Sequence, residues 1–287
     1  MTIFTTSTSA TTSGTSATQT SALIDTSEAI SPEIIRIAFV GDMMFDRHVR
    51  TTASNFGYQY ILEGVEKYLN KLDLVVGNLE GPVSGLPSES VGSAPGEAAN
   101  FLFTFSPNIL PTLVNAGFQA VNIGNNHIMN FGTIGLEETR TFLGSAGMHF
   151  FGDPFKDEHK TAALLVDQIA LGLVSYNEFI PRATDDTLNE IREFKKDGAN
   201  LVVVYTHWGD EYEPHPNGRQ VELAHQFVDA GADLVIGSHP HVIQDKEIYK
   251  GKYIYYSLGN FVFDQYFSDE VRCGAVVEIH IDPEKPD

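Results

Sequence analysis

Six apolar runs along the chain each end in side chains able to hold a metal ion or move a proton. Ile34 to Val40 ends in Gly41-Asp42-Met43-Met44-Phe45-Asp46-Arg47-His48, Leu72 to Val76 in Gly77-Asn78-Leu79-Glu80-Gly81-Pro82, and Val121 to Ile123 in Gly124-Asn125-Asn126-His127. Leu201 to Tyr205 is followed by Thr206-His207-Trp208-Gly209-Asp210, Leu234 to Ile236 by Gly237-Ser238-His239-Pro240-His241, and Tyr253 to Tyr256 by Ser257-Leu258-Gly259-Asn260-Phe261. Carboxylate, amide and imidazole together form a donor set for divalent ions. Imidazole among them suits Zn, Mn or Fe better than Ca, which prefers oxygen alone.

His239 and His241, one residue apart after an apolar run, can project from one strand end toward the same side, with Pro240 limiting their splay. A lone His-x-His is better explained by core or surface histidines. With His207, His127, Asp42, Glu80 and Asn126 at equivalent strand ends, a shared ligand cage is the better account. Asp42 can also be read as a turn cap, but as the first carboxylate after the first strand it is taken as a ligand. Asn78, Asn260 and Asp264 are assigned to the groups that orient ligands, with Asn260 also readable as a turn residue and Asp264 as a cap. Arg47 either pairs with a carboxylate of the fold or binds an anionic substrate, and it is taken as a catalytic candidate. His48 is expected to be exposed, and His149, His159, His215, His225 and His280 to be structural or solvated.

Other chemistries find little support. The chain has no Gly-x-x-x-x-Gly-Lys phosphate loop, no Gly-x-Gly-x-x-Gly after the first strand and no Gly-x-Ser-x-Gly elbow. Its one cysteine, Cys273, forms no internal disulfide or thiolate cluster, and is expected to be a buried small hydrophobe.

The elements that must position the donors follow an α/β alternation. Strands are expected over Ile34 to Val40, Leu72 to Gly77, Ala120 to Gly124, Thr161 to Val166, Ile169 to Ser175, Leu201 to Thr206, Leu234 to Gly237, Tyr253 to Ser257 and Ala275 to Ile281. Helices are expected over Tyr58 to Asn70, from Ser106-Pro107 to Gly117, and over Thr133 to Ala146, Asp185 to Lys196 and Gly218 to Ala230. Only Asp167 and Gln168 separate two strands, so these form a hairpin and the sheets are mixed. Gly81 to Ala99, rich in Gly, Pro, Ser and Glu, reads as a surface loop able to act as a lid.

The 287 residues, 42% of them hydrophobic, can bury a sizeable core. Lys and Arg number 18 against 38 Asp and Glu, a net charge of −20, which repels phosphate backbones, so no nucleic-acid partner is expected. No stretch approaches the roughly 20 apolar residues of a membrane span, and the chain is expected to be soluble. Residues 1–31, rich in Ser, Thr and Ala, read as a disordered leader before a single domain over 32–287.

Phe39-Val40-Gly41-Asp42-Met43-Met44 with Arg47, then Asn78-Leu79-Glu80, Asn125-Asn126-His127, His207-Trp208-Gly209, Ser238-His239-Pro240-His241 and Ser257-Leu258-Gly259-Asn260-Phe261 resemble, in this order, the CapA type of bacterial capsule protein associated with poly-gamma-glutamate synthesis. The resemblance implies a fold similar to calcineurin-like metallophosphoesterases, a four-layer α-β-β-α sandwich of two mixed sheets. It implies Asp42 as the first metal carboxylate and Glu80 as a carboxylate bridging two ions. Asn126, His207, His239 and His241 are then the remaining ligands, and His127 the proton donor. Met44 stands where those enzymes carry a His, and Asn-Leu-Glu where they carry Gly-Asp, which implies that one metal position is weaker or empty.

The implied activity is metal-dependent hydrolysis of a phosphoester or gamma-glutamyl bond at the extracytoplasmic face of the cell envelope. The implied partners are an anionic polymer or phosphoester and membrane capsule-synthase components. A non-catalytic polymer-binding or scaffold subunit is the alternative. An amidohydrolase-type barrel ranks last, because its His-x-His usually follows the first strand.

Overall fold

A computed structural model of the chain describes residues 3–6, 34–179 and 184–283. Of the expected leader, residues 1, 2 and 7–31 lie outside the described residues, while Ile3–Thr6 (β1) runs parallel to the last strand. From there the order is β2 (Ile35–Met43), α1 (Arg47–Phe56), α2 (Glu66–Leu69), β3 (Leu74–Leu79), α3 (Leu110–Asn115), β4 (Phe118–Asn122), α4 (Gly132–Ser145) and β5 (His149–Phe151). It continues with β6 (Thr161–Val166), β7 (Ile169–Asn177), α5 (Thr184–Lys196), β8 (Leu201–His207), α6 (Gly218–Ala230) and β9 (Leu234–Ser238). Four strands complete it: β10 (Lys246–Tyr249), β11 (Lys252–Tyr255), β12 (Asn260–Val262) and β13 (Gly274–Ile281).

One sheet runs β1-β13-β2-β3-β4-β5, with β12 beside the end of β2, and the other runs β10-β11-β9-β8-β7-β6. β2 to β5 are parallel with β13 antiparallel to β2, and β7, β8, β9 and β11 are parallel between antiparallel β6 and β10. Successive side chains of a strand point to opposite faces, and both faces of β2 are apolar. Ile35, Ile37 and Phe39 enter the core between the sheets with Val76, Leu173, Tyr205 and Ile236. Ala38 and Val40 instead meet Val49, Leu113 and Leu136 from the helices of that side. On the far side Ile191, Leu223 and Phe227 of α5 and α6 cover Val204 and Val235. The layers are therefore α-β-β-α, as the resemblance implies. Each fully buried Leu, Ile or Phe contributes about 1.5–3 kcal/mol to holding them together.

The expected strands all occur, and the β6–β7 hairpin pairs Val166 with Ile169. Tyr58 to Asn70 is not one helix: it splits into a 3-10 turn over Tyr58–Ile61 and α2, with exposed Gly64 between them. Glycine in a helix interior costs about 1 kcal/mol relative to alanine, and here the helix gives way. Gly81 to Ala99 is only partly a surface loop. Its first four residues are buried, and the Val83 N–H donates to Thr139 Oγ1 of α4 at 2.9 Å. Cys273 is half-exposed instead of buried.

A second tie on α4 yields a prediction. Arg140 forks onto Asp153, with Nε to Oδ2 at 2.5 Å and Nη2 to Oδ1 at 2.6 Å, and Asp153 also accepts the N–H groups of Phe155 and Lys156. Burial opposes the ionised form of Asp153, but these partners outweigh it and hold its pKa below the ordinary value. The resulting stability is fully present above the unfolded pKa of about 4 and is lost as pH falls through the lower folded value. We expect Asp153→Asn to cost about 3 kcal/mol near neutrality. In urea titrations the gap to wild type should narrow below about pH 4, and a gap independent of pH would refute this account.

Candidate metal centre

Parallel neighbours in a sheet end on the same edge, and a ligand site forms where their carboxyl ends converge. The register makes this concrete. Asn260 pairs with Asp42, Asp42 with Asn78 and Asn78 with Asn122 across one sheet, while Asn177 pairs with His207 and His207 with Ser238 across the other. The six strand ends singled out by sequence thus meet at one end of the sandwich.

Asp42 is fully buried and fully used. Its Oδ1 accepts from Asn78 Nδ2 at 2.8 Å, its Oδ2 accepts the His239 N–H at 3.0 Å, and His241 Nδ1 lies 3.3 Å from Oδ2. Burial alone would raise its pKa, but His241, His207 and the Asn78 amide hold it well below the usual carboxylate range. Asn78 is oriented in turn, because its Oδ1 accepts from Asn122 at 3.1 Å and from Asn125 at 3.3 Å.

Glu80 is the opposite case. It is fully buried, and among the described residues no hydrogen-bond donor reaches either carboxylate oxygen. His241 Nε2 stands 3.5 Å from its Oε1, and one ligand atom from each of Asp42, Glu80 and His241 falls within 4.8 Å of the others. Burial first, and the Asp42 charge second, push the Glu80 pKa well above its ordinary value. A carboxylate buried among ligand atoms and deprived of donors fits a cation, which satisfies both oxygens at once.

His207 is joined to Asp42 through the Asn78 amide, whose Nδ2 lies 2.8 Å from Asp42 Oδ1 and 3.3 Å from His207 Nδ1. The Ser238 hydroxyl donates to the Thr206 carbonyl at 2.7 Å, and its oxygen lies 3.0 Å from His207 Nδ1. His207 Nε2 lies 2.9 Å from Asn126 Oδ1, a hydrogen-bond distance that is also the spacing of adjacent ligands each about 2.1 Å from one ion. Burial, then His239, lowers the His207 pKa well below the ordinary value, which keeps the ring neutral.

His239 and His241 converge by a different route from strand alternation. Both lie past the end of β9 with φ of 95° and 58°, the left-handed region that side chains other than glycine rarely occupy. Backbone held there is strain that a functional constraint can maintain. Their rings lie 5.9 Å apart. Asn260 Oδ1 accepts from His241 Nδ1 at 2.9 Å, its amide being fixed by Val271 and Gln265. His239 Nδ1 is buried without a partner among the described residues, and burial, then His241, lowers the His239 pKa to about 3.

His127 stands at the rim of the cage, Nε2 3.9 Å from Glu80 Oε1. Asn130 Oδ1 accepts both the Phe103 N–H and His127 Nδ1, so the proton sits on Nδ1 and Nε2 faces the cage. Burial lowers the His127 pKa to about 4. Arg47 and Asp264 lie outside the ligand cluster. Arg47 donates to Asp264 and to Asn100 Oδ1. Its guanidinium lies 5.1 Å from the Phe103 ring and 5.3 Å from Phe263, the two rings that pack against His127 and His241.

His48 is the second residue of α1, and its side chain is 84% exposed. His215 and Asp245, His225 and Glu247, and His280 and Glu278 are pairs away from the cage, and His159 packs on Phe150. The sequence reading missed Asn130 and Ser238, which lie within hydrogen-bond reach of the His127 and His207 rings, and Glu211, four residues beyond His207. Their signal was position: each lies within or just beyond a strand end already singled out.

Residues 36–265 match the family described as bacterial capsule synthesis protein PGA_cap. The capsule biosynthesis protein CapA of Bacillus anthracis is 32% identical over 283 residues, covering 90% of this chain and 68% of that protein. The PGA biosynthesis protein CapA of Bacillus subtilis (strain 168) is 31% identical over 268 residues, 88% of this chain and 69% of that one. Among solved structures, a hypothetical protein from Thermus thermophilus shares the fold, with a TM-score of 0.52 and 20% identity over 83% of this chain and 82% of that one.

Proposed function

The chain belongs to the bacterial capsule synthesis protein family PGA_cap, and on that premise we propose that it is a divalent-metal-dependent hydrolase of the cell envelope. Its substrate is a phosphoester or a gamma-glutamyl bond in an anionic capsule polymer or its precursor. The observation that carries this reading is Glu80, whose two buried oxygens have no donor among the described residues and lie beside Asp42 and His241. Asp42, Glu80 and His241 would hold one ion, and Asn126, His207 and His239 would complete a second position against Glu80. Mn, Zn or Fe suits this donor set.

Bound cations supply Lewis acidity toward a phosphoryl or carbonyl oxygen and activate water. Two divalent ions against two carboxylates leave the cage positive, since Asp264 is already neutralised by Arg47. An anionic substrate is then attracted despite the acidic surface, whose remote charges are screened over about 8 Å at physiological salt. His127, its Nδ1–H held by Asn130, takes a proton at Nε2 and returns it to the leaving group. Membrane capsule-synthase components are the expected partners, although no helix among the described residues is long and apolar enough to cross a membrane.

The test is metal analysis of the purified protein together with turnover of phosphoesters and gamma-linked glutamate. We expect bound Mn, Zn or Fe and chelator-sensitive hydrolysis of one of the two. Absence of both metal and turnover would sink the reading. One observation favours the second reading, a polymer-binding or scaffold subunit. Met44, which stands where phosphoesterases carry a His, is fully buried, and its sulfur accepts the Asp46 N–H at 3.0 Å. Polymer binding that survives chelation, with no turnover, would select that alternative.

A further inference from the structure

Glu211 has no part in the cage described above. It is exposed, yet it forms a second group with His239 and His241 in which the ligand atoms again lie within 4.8 Å of one another. Its place is built, because the next residue, Tyr212, donates its N–H to the Pro240 carbonyl at 2.8 Å and ties this turn to the His-Pro-His turn. Tyr212 shares the left-handed backbone of the two histidines, with φ of 65°. His239, whose buried Nδ1 has no partner among the described residues, is not used by the Asp42, Glu80 and His241 group. One carboxylate and two imidazoles suit a divalent ion of the Zn or Fe class.

His241 belongs to both groups. A neutral imidazole offers one lone pair, its other nitrogen carrying the proton, so His241 bonds one ion at a time. The two groups are therefore alternatives on one path. The outer has a single carboxylate open to solvent, and the inner has two that are fully buried. A dication moving inward gives up water and gains a second negative charge at low dielectric.

We propose that Glu211 is the loading ligand of the metal centre. With His239 and His241 it takes a divalent cation from solvent, and His241 then passes the ion to Asp42 and Glu80. This rests on the reading of Asp42, Glu80 and His241 as ligands. A group acting on the path and not at its end changes uptake and release by the same factor and leaves the equilibrium alone.

The experiment strips the full-length chain of metal and follows Co2+ by its visible absorption in stopped flow, first during uptake and then during release into excess chelator. We expect Glu211→Gln to slow both steps roughly tenfold, with the number of ions bound and their affinity unchanged. Glu213→Gln removes a nearby charge outside the group and should leave both rates at wild-type values. Wild-type rates in Glu211→Gln, equal slowing in Glu213→Gln, or loss of a bound equivalent in Glu211→Gln would each overturn the proposal. The last result would make Glu211 a permanent ligand. Failure of the wild-type chain to take up Co2+ would instead overturn the underlying reading of the cage.

Discussion

Glu80→Gln is expected to abolish metal binding while making the metal-free protein more stable. In the folded chain Glu80 is buried with both oxygens lacking a donor, and Asp42 stands beside it. Without a cation it is either an unpaired buried anion or an acid that must take up a proton near neutrality, and both cost free energy. A glutamine amide has the same shape, carries no charge and can donate to the Asp42 carboxylate. The gain in the metal-free state should be about 1–3 kcal/mol, and for a domain of this size each kcal/mol moves Tm by about 2–4 °C. In wild type, metal at 100 times its Kd should restore about 2.7 kcal/mol, and in the variant nothing. Thermal scans with and without Mn, alongside metal analysis, read both halves. A variant that keeps its metal, or is destabilised like an ordinary core substitution, would remove the main support for a cation in the cage.

What could be read from the sequence, and what could not, divides along the range of the forces involved. The long buried strands announced themselves, because β2 and β8 are covered on both faces and must be runs of apolar residues. The donors at their ends were legible for the same reason, since a polar group that closes such a run has to be at its edge. β12 was not legible. Its three residues are a strand only because Asn260 pairs with Asp42, more than 200 positions earlier in the chain. Helix α1 was hidden by the chemistry of its first residues, Arg47 and His48, which read as part of a ligand-bearing loop. The His239 and His241 pair was found for an incomplete reason. Strand alternation suggested a common side, whereas the structure achieves convergence with left-handed backbone that no local pattern signals. Glu211 escaped because an exposed carboxylate in an acidic chain carries no distinguishing mark until its neighbours are known.

Gly41→Ala is expected to disable fold and site together, because the backbone carbonyl of Gly259 occupies the space a side chain would need. A Cβ at Gly41 would lie 1.9 Å from that oxygen and 2.9 Å from its carbon, both backbone atoms. Gly259 cannot retreat, since it has φ of 68° and the space beside it is bounded by the Cys273 carbonyl and the Ile243 backbone. The strain must therefore separate β12 from β2, breaking the bond from Asp42 N to Gly259 O at 3.0 Å. It also displaces Asn260, which orients His241. We expect a loss of about 4 kcal/mol, a fall in Tm of roughly 10 °C, and metal affinity reduced about 10- to 100-fold through the displaced Asn260. Gly64→Ala is the matched comparison. No atom lies within 4 Å of a Cβ there, and the residue is exposed, so the same change should be neutral or stabilise by about 0.4–1 kcal/mol. If Gly41→Ala matched Gly64→Ala in both Tm and metal affinity, the tight seating of β12 against β2 would not be what aligns Asp42 with His241, and the cage would need another source of its geometry.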